Sequence, residues 1–188
     1  MHRDRESDTA WARGSAELAR RDKVIAHLVR ELGTPRLGAL TDDPFATLVR
    51  AIVQQQLAAP AARAIHSRLT HVLDGSITPE SVASAADPVL RGAGLSSAKV
   101  ASLKDLAAKT RDGTVRLALD ELVAMTDAQI AAELTTVRGI GAWTADMFLM
   151  FQLHRIDIWP FGDLALRRGV GSAWHLTTPT PPTSEGLR

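Results

Sequence analysis

Residues 134–166, LTTVRGIGAWTADMFLMFQLHRIDIWPFGDLAL, decide how this chain is read. A mixed polar and apolar run ends at Val137-Arg138, Gly139-Ile140-Gly141 follows, and an apolar segment runs from Ala142 to Leu153. Two glycines one residue apart let the backbone turn sharply through positive φ without a Cβ clash. Ile140 between them can plug the turn into a core. The second glycine opens into a helix, whose first N–H groups lack intrahelical acceptors and sit at the positive end of the helix dipole. That makes an anion site of phosphate size. Taken alone, a Gly-x-Gly turn is equally a tight corner between two helices.

Further on, Pro160 and Gly162 break any preceding structure, and Asp163 stands at the N-cap of a helix running through Leu166 and Arg167. A carboxylate placed there is held rigidly, among apolar residues and beside a helix end. Capping and chemistry are compatible roles for it.

Working outward, apolar residues at Val24, Ile25, Leu28, Val29 and Leu32 have helical spacing, closed by Gly33. Asp43-Pro44 reads as an N-cap followed by proline at the first helical position, ahead of Phe45, Leu48, Val49, Ile52 and Val53. Thr78-Pro79 and Asp87-Pro88 repeat the device, Ser96 or Ser97 caps a helix through Leu106, and Thr126-x-x-Gln129 is a capping box. No segment alternates with period two, so the chain reads as all-α, with many short helices and short loops. Residues 1–20 read as a flexible leader and 172–188 as a Pro/Thr-rich tail.

Composition narrows the chemistry. There is no cysteine, which excludes disulfides and a cysteine-ligated iron–sulfur cluster. His66 and His71 have no further ligands at metal spacing. A net charge of +1 gives no bulk argument for a nucleic-acid partner, so any such partner is held by a local patch and backbone amides. Neither a membrane span nor a signal peptide is visible, so the expected location is cytoplasmic. The lysines are Lys23, Lys99, Lys104 and Lys109, all ahead of the glycine turn.

Val137-x-Gly139-Ile140-Gly141-x-Trp143-Thr144-Ala145, then Asp163-Leu164-Ala165-Leu166, with Pro44-Phe45 and Ile52-Val53-Gln54-Gln55-Gln56-Leu57 upstream, resembles the helix-hairpin-helix DNA glycosylases. The DNA-3-methyladenine glycosylase II group is the most similar branch. The resemblance covers roughly residues 22–171, a size typical of one domain. It implies short helices in two lobes flanking a cleft, with one glycosylase domain over 21–171 and its hairpin at 134–153. Relatives of this kind continue past the catalytic helix into further helices, so the fold is expected to be truncated at the C-terminus.

The resemblance implies a monofunctional glycosylase of base excision repair, which hydrolyses the N-glycosidic bond of alkylated purines such as 3-methyladenine. Asp163 is then the catalytic carboxylate. Trp143 and Met147 line the pocket for the extruded base, although an isolated tryptophan here is also what a core residue looks like. Gly139, Ile140 and Gly141 bind a DNA phosphate. Gln54, Gln55, Gln56 and Leu57 fill the vacated base position, and which of them intercalates stays open; the bland reading of the run is a solvated face. Ser96, Ser97 and Lys99 match a loop near the phosphate backbone, with a solvated loop as the alternative. Backbone carbonyls of Thr135, Val137 and Ile140 are expected to hold a structural monovalent cation, and no other cofactor is implied.

Bifunctional members carry a lysine where Trp143 stands, and no lysine follows here, so no lyase activity is expected. The implied partner is double-stranded DNA containing alkylated bases, bound by a monomer that is nucleoid-associated when on DNA. The sequence is also compatible with two other readings: an inactive helix-hairpin-helix DNA-binding module lacking the C-terminal helices, and an unrelated all-α interaction domain.

Overall fold

The computed structural model describes residues 2–35, 37 and 43–176, and of residues 2–9 the backbone alone. In chain order the helices are α1 (His2–Arg21), α2 (Lys23–Leu32), α3 (Pro44–Gln54), α4 (Ala59–Val72), α5 (Pro79–Ser84) and α6 (Asp87–Gly92). There follow α7 (Ser97–Arg111), α8 (Leu119–Ala124), α9 (Asp127–Thr135), α10 (Ala142–Phe151) and α11 (Leu164–Ala173). No strand occurs among the described residues, and none of their helices is long and apolar enough to cross a membrane.

The helix starts follow from local chemistry. Asp43 Oδ1 accepts from Ala46 N at 2.8 Å, with Pro44 in the first turn. Thr78 with Ser81, and Thr126 with Gln129, close reciprocal capping boxes that satisfy N–H groups the helices leave over. Ser96, rather than Ser97, caps α7. At Asp87-Pro88 the expected cap is displaced: Ala86 holds the N-cap, and Asp87 is the first helical residue, where its charge complements the dipole.

The chain divides into two compact units, Thr41–Phe148 on one hand and Met1–Leu40 with Leu149–Arg188 on the other. The core of the Thr41–Phe148 unit is built from Leu48, Val49, Ile52 and Val53 of α3 with Leu69, Leu90, Leu103, Leu106, Leu122, Ile130 and Leu134, all essentially buried. These are the apolar stripes of their helices. α7 packs against α3, α5 and α6.

α7 also supplies polar ties. Lys99 Nζ donates to Val53 O at 2.7 Å and to Gln55 O at 2.9 Å, at the end of α3. Lys104 Nζ donates to Ala83 O at 2.9 Å and to Ala85 O, at the end of α5. Lys109 Nζ donates to Thr136 O, at the end of α9. The last carbonyls of a helix have no intrahelical donor and carry the negative end of the dipole, so an ammonium suits them twice over.

In the other unit, α1 packs on α2 with Ser15 buried. Residues expected as a flexible leader therefore include a helix, stabilised by its neighbour rather than by intrinsic propensity. Asp22 Oδ1 caps α2 through Val24 N at 2.7 Å and Ile25 N at 3.0 Å, and Asp22 Oδ2 accepts from Trp174 Nε1 at 2.8 Å. α11 extends through Ala173, past the domain end expected at 171; the Pro/Thr run from Thr177 lies outside the described residues.

Lys104→Met keeps the buried stem and removes the donor to two carbonyls. Urea denaturation is expected to show a loss of about 1 kcal/mol, the usual net worth of such contacts.

Candidate nucleic-acid interface

α9 and α10 form the two arms of the hairpin, joined by residues 136–141. Within the turn, Val137 N donates to Leu134 O at 3.1 Å and Ile140 N donates to Val137 O at 3.0 Å. Val137 and Ile140 are buried, so Ile140 plugs the corner as its place between glycines predicts. Gly139 takes φ +80, and a Cβ there would lie 2.7 Å from Ser102 Oγ. Gly141 departs from expectation. It is not among the positive-φ residues, and nothing lies within 4 Å of where its Cβ would be. One left-handed residue completes the reversal, and Gly141 already belongs to the start of α10, its carbonyl accepting from Ala145 N at 3.1 Å. The first N–H groups of α10 thus emerge beside an unobstructed glycine.

α7 lies under this turn. Asp105 Oδ2 accepts from Arg138 N at 2.7 Å and from Lys109 Nζ at 2.9 Å. Burial pushes the Asp105 carboxyl up, but the hydrogen bonds from Arg138 and Lys109 and their charges outweigh it and hold it below the ordinary 3.8. Ser102, buried beneath Gly139, donates to Ala98 O at 3.0 Å.

The glutamine run leaves the end of α3 in a tight turn. Leu57 N donates to Gln54 O at 3.1 Å, Gln55 has φ −50 and ψ 129, and Gln56 has φ +58. This is type II geometry, with glutamine where glycine is usual. Gln54, Gln56 and Leu57 are exposed. Gln55 is half-buried and points elsewhere: its Nε2 donates to Gly139 O at 2.8 Å. The run therefore separates into a tether and displayed residues, and is not a uniform solvated face.

Trp143, in the first turn of α10, is 45% exposed, which removes the core-tryptophan reading. Met147, one turn on, is half-buried on the same side. Asp146 lies beside them, half-buried, its carboxyl pushed up by burial. Ser97 is exposed, in an open depression of about 780 Å³ that also has Arg91, Gly94 and Ser96 in its wall. Lys99 is placed differently from a phosphate ligand, with its ammonium on Val53 O and Gln55 O.

The other unit contains Asp163. It caps α11 as expected, Oδ1 accepting from Leu166 N at 2.8 Å. Asp163 is half-buried after buried Pro160, and Trp159, Phe161 and Leu164 around it in sequence are 40–46% exposed. The Trp159 and Phe161 rings meet edge-on at 6.4 Å. The contribution of Ser102 and Asp105 escapes a reading of the hairpin alone. Its only trace in the sequence is the polar stripe Lys99, Ser102, Asp105, Lys109 along one side of α7.

Two substitutions separate the glycines. Gly139→Ala is expected to lower stability by roughly 1–2 kcal/mol for the left-handed residue alone, with displacement of Ser102 Oγ in addition. Gly141→Ala leaves the melting temperature nearly unchanged. Asp105→Ala should cost about 1 kcal/mol at neutral pH, exposure considered. Because the folded carboxyl titrates below its unfolded value, that contribution is present above the ordinary 3.8 and lost as pH falls through the lower folded value. The wild-type and variant stability curves therefore converge in acid, which pH-dependent denaturation measures.

The sequence pattern of the HhH-GPD superfamily of base excision DNA repair proteins matches residues 49–186. DNA-3-methyladenine glycosylase 1 of Schizosaccharomyces pombe is 31% identical over 165 residues, 86% of this chain and 72% of that protein. The DNA-3-methyladenine glycosylase of Saccharomyces cerevisiae is 30% identical over 141 residues, 68% of this chain and 46% of that protein. The structure of the Schizosaccharomyces pombe 3-methyladenine DNA glycosylase in complex with abasic DNA superimposes with a TM-score of 0.78 at 31% identity, covering 91% of this chain and 84% of the other. The chain belongs to the HhH-GPD superfamily of base excision DNA repair proteins.

Proposed function

We propose that the chain is a monofunctional DNA glycosylase that releases alkylated purines, 3-methyladenine among them, from duplex DNA. The observation that carries this reading is the exposed indole of Trp143 in the first turn of a helix that begins at an unobstructed glycine. The amides at the start of α10 take one phosphate of the DNA backbone. The target nucleotide leaves the stack, since the bond to be cut is not reachable within it. An alkylated purine is cationic, and its attraction to an indole face contributes roughly 0.5–2 kcal/mol. Met147 adds an adaptable apolar wall beside the ring.

The C1′–N bond breaks with its electron pair going to the base. A cationic base leaves as a neutral purine, so no acid is required to protonate it. Positive charge develops on the deoxyribose, and the carboxylate of Asp163, held by its own helix cap, stabilises it. Water adds to C1′ and gives up a proton, which Asp163 helps to accept. The products are a free base and an abasic site in an intact strand. No lysine follows Lys109, so the amine needed for a Schiff base and strand nicking is missing from the hairpin onward.

Carbonyls of Thr135, Val137 and Ile140 would hold a monovalent cation that stiffens the turn. Val137 O already accepts from Ile140 N but retains a second lone pair for such an ion. The protein is read as a monomer acting on DNA in the cytoplasm, at the nucleoid when bound.

Duplex DNA treated with a methylating agent supplies the test. Wild type is expected to release 3-methyladenine and leave sites that alkali, and not the protein, cleaves. Asp163→Asn should retain binding and lose release by about 100-fold or more, the scale of one lost electrostatic stabiliser. Tight, salt-sensitive binding without base release by the wild type would replace this reading with that of an inactive DNA-binding module.

A further inference from the structure

Lys99 offers the strongest unassigned function. Its ammonium bridges Val53 O and Gln55 O, at 2.7 and 2.9 Å. The side chain of the same Gln55 reaches Gly139 O at 2.8 Å. Ser102, one turn beyond Lys99 on α7, has its Oγ 2.7 Å from where a Cβ of Gly139 would fall. The glutamine turn and the glycine turn are therefore each fastened to α7 and to one another. Gln56, at φ +58, is a left-handed non-glycine residue, a conformation that persists only when its surroundings hold it. Lys99 holds the two carbonyls that lead into it, Val53 O and Gln55 O, at the end of α3.

An ammonium partly desolvated and shared by two carbonyls is poorly placed to leave them for a phosphate. Burial also lowers the Lys99 pKa, as expected for an ammonium partly removed from water.

We propose that Lys99 is a positioning residue and not a phosphate ligand: it locks the turn 54–57 to the turn 136–141, so that grip on the DNA backbone and insertion at the vacated base position occur as one step. This rests on the glycosylase reading above. The lock makes Gln56 and Leu57 the inserted pair, because Gln55 is spent on the tether.

The test uses Lys99→Met, which keeps the stem and removes the donor, on a lesion-containing duplex with 2-aminopurine next to the lesion. Three quantities are read: the slope of log Kd against log salt, the 2-aminopurine fluorescence that reports extrusion, and single-turnover base release. The lock predicts an unchanged salt slope, loss of the extrusion signal, and release slower by roughly tenfold or more, as misplacement of positioning groups costs. Gln55→Leu should give the same pattern, and the double variant should be no worse than either single, since one linkage is broken in all three. Lys99→Arg should recover part of the signal. A salt slope reduced by about 1, the mark of a lost phosphate contact, with affinity and release falling in parallel, overturns the proposal. So does normal extrusion in folded Lys99→Met. If circular dichroism shows that variant unfolded, Gln55→Leu alone decides by the same criteria. Wild type that extrudes without releasing base sinks the glycosylase reading and leaves the lock standing; wild type that does neither sinks both.

Discussion

Three ammonium groups on one helix, each directed at the carbonyl end of another, fix where the helices packed on the apolar core of the Thr41–Phe148 unit end. Lys99 closes α3, Lys104 closes α5 and Lys109 closes α9. Short helices make this necessary. Every helix leaves four carbonyls over at its end, so a unit made of many short helices accumulates them quickly. Capping them from a central helix satisfies the carbonyls and fixes where each neighbouring helix stops. Where helices stop is also where the loops of the candidate interface begin.

The interface is consequently a by-product of the same fastening. The glycine turn is held at Thr136, Arg138 and Gly139 by Lys109, Asp105 and the packing of Ser102. The glutamine turn is held at Val53 and Gln55 by Lys99. Gln56, Leu57 and Trp143 are left exposed. Rigid support beneath and displayed groups above is the arrangement that a backbone-gripping, base-extruding enzyme requires, because ordering costs are met in folding and not in binding. Asp163 follows the same economy in its own unit, since the bond that caps α11 also fixes the carboxylate.

Local chemistry was legible in the sequence. The caps at Asp43, Thr78, Thr126 and Asp163 have partners within three residues, so type and spacing identify them. The buried stripe of α3 follows from helical spacing of its apolar residues. What could not be read shares one physical trait: the partner is a distant backbone atom. Lys99 to Val53 O, Gln55 to Gly139 O and Asp105 to Arg138 N each join residues far apart in the chain, and a carbonyl or amide leaves no mark in residue identity. Gly141 misled for a related reason. Glycine signals either freedom of φ or freedom of space, and only coordinates tell the two apart. The resemblance to a family identified Asp163 and Trp143 as residues worth attention; the ties from α7 explain why the two turns of the Thr41–Phe148 unit are stiff.

Amide hydrogen exchange on the free protein tests that stiffness most directly. The Leu57 amide, bonded to Gln54 O, reports the glutamine turn, and the Ile140 amide, bonded to Val137 O, reports the glycine turn. If one lock serves both, the two exchange with matching protection in wild type, and removing the Lys99 ammonium speeds both together. Faster exchange at Leu57 with no change at Ile140 would show two independent turns and contradict the account.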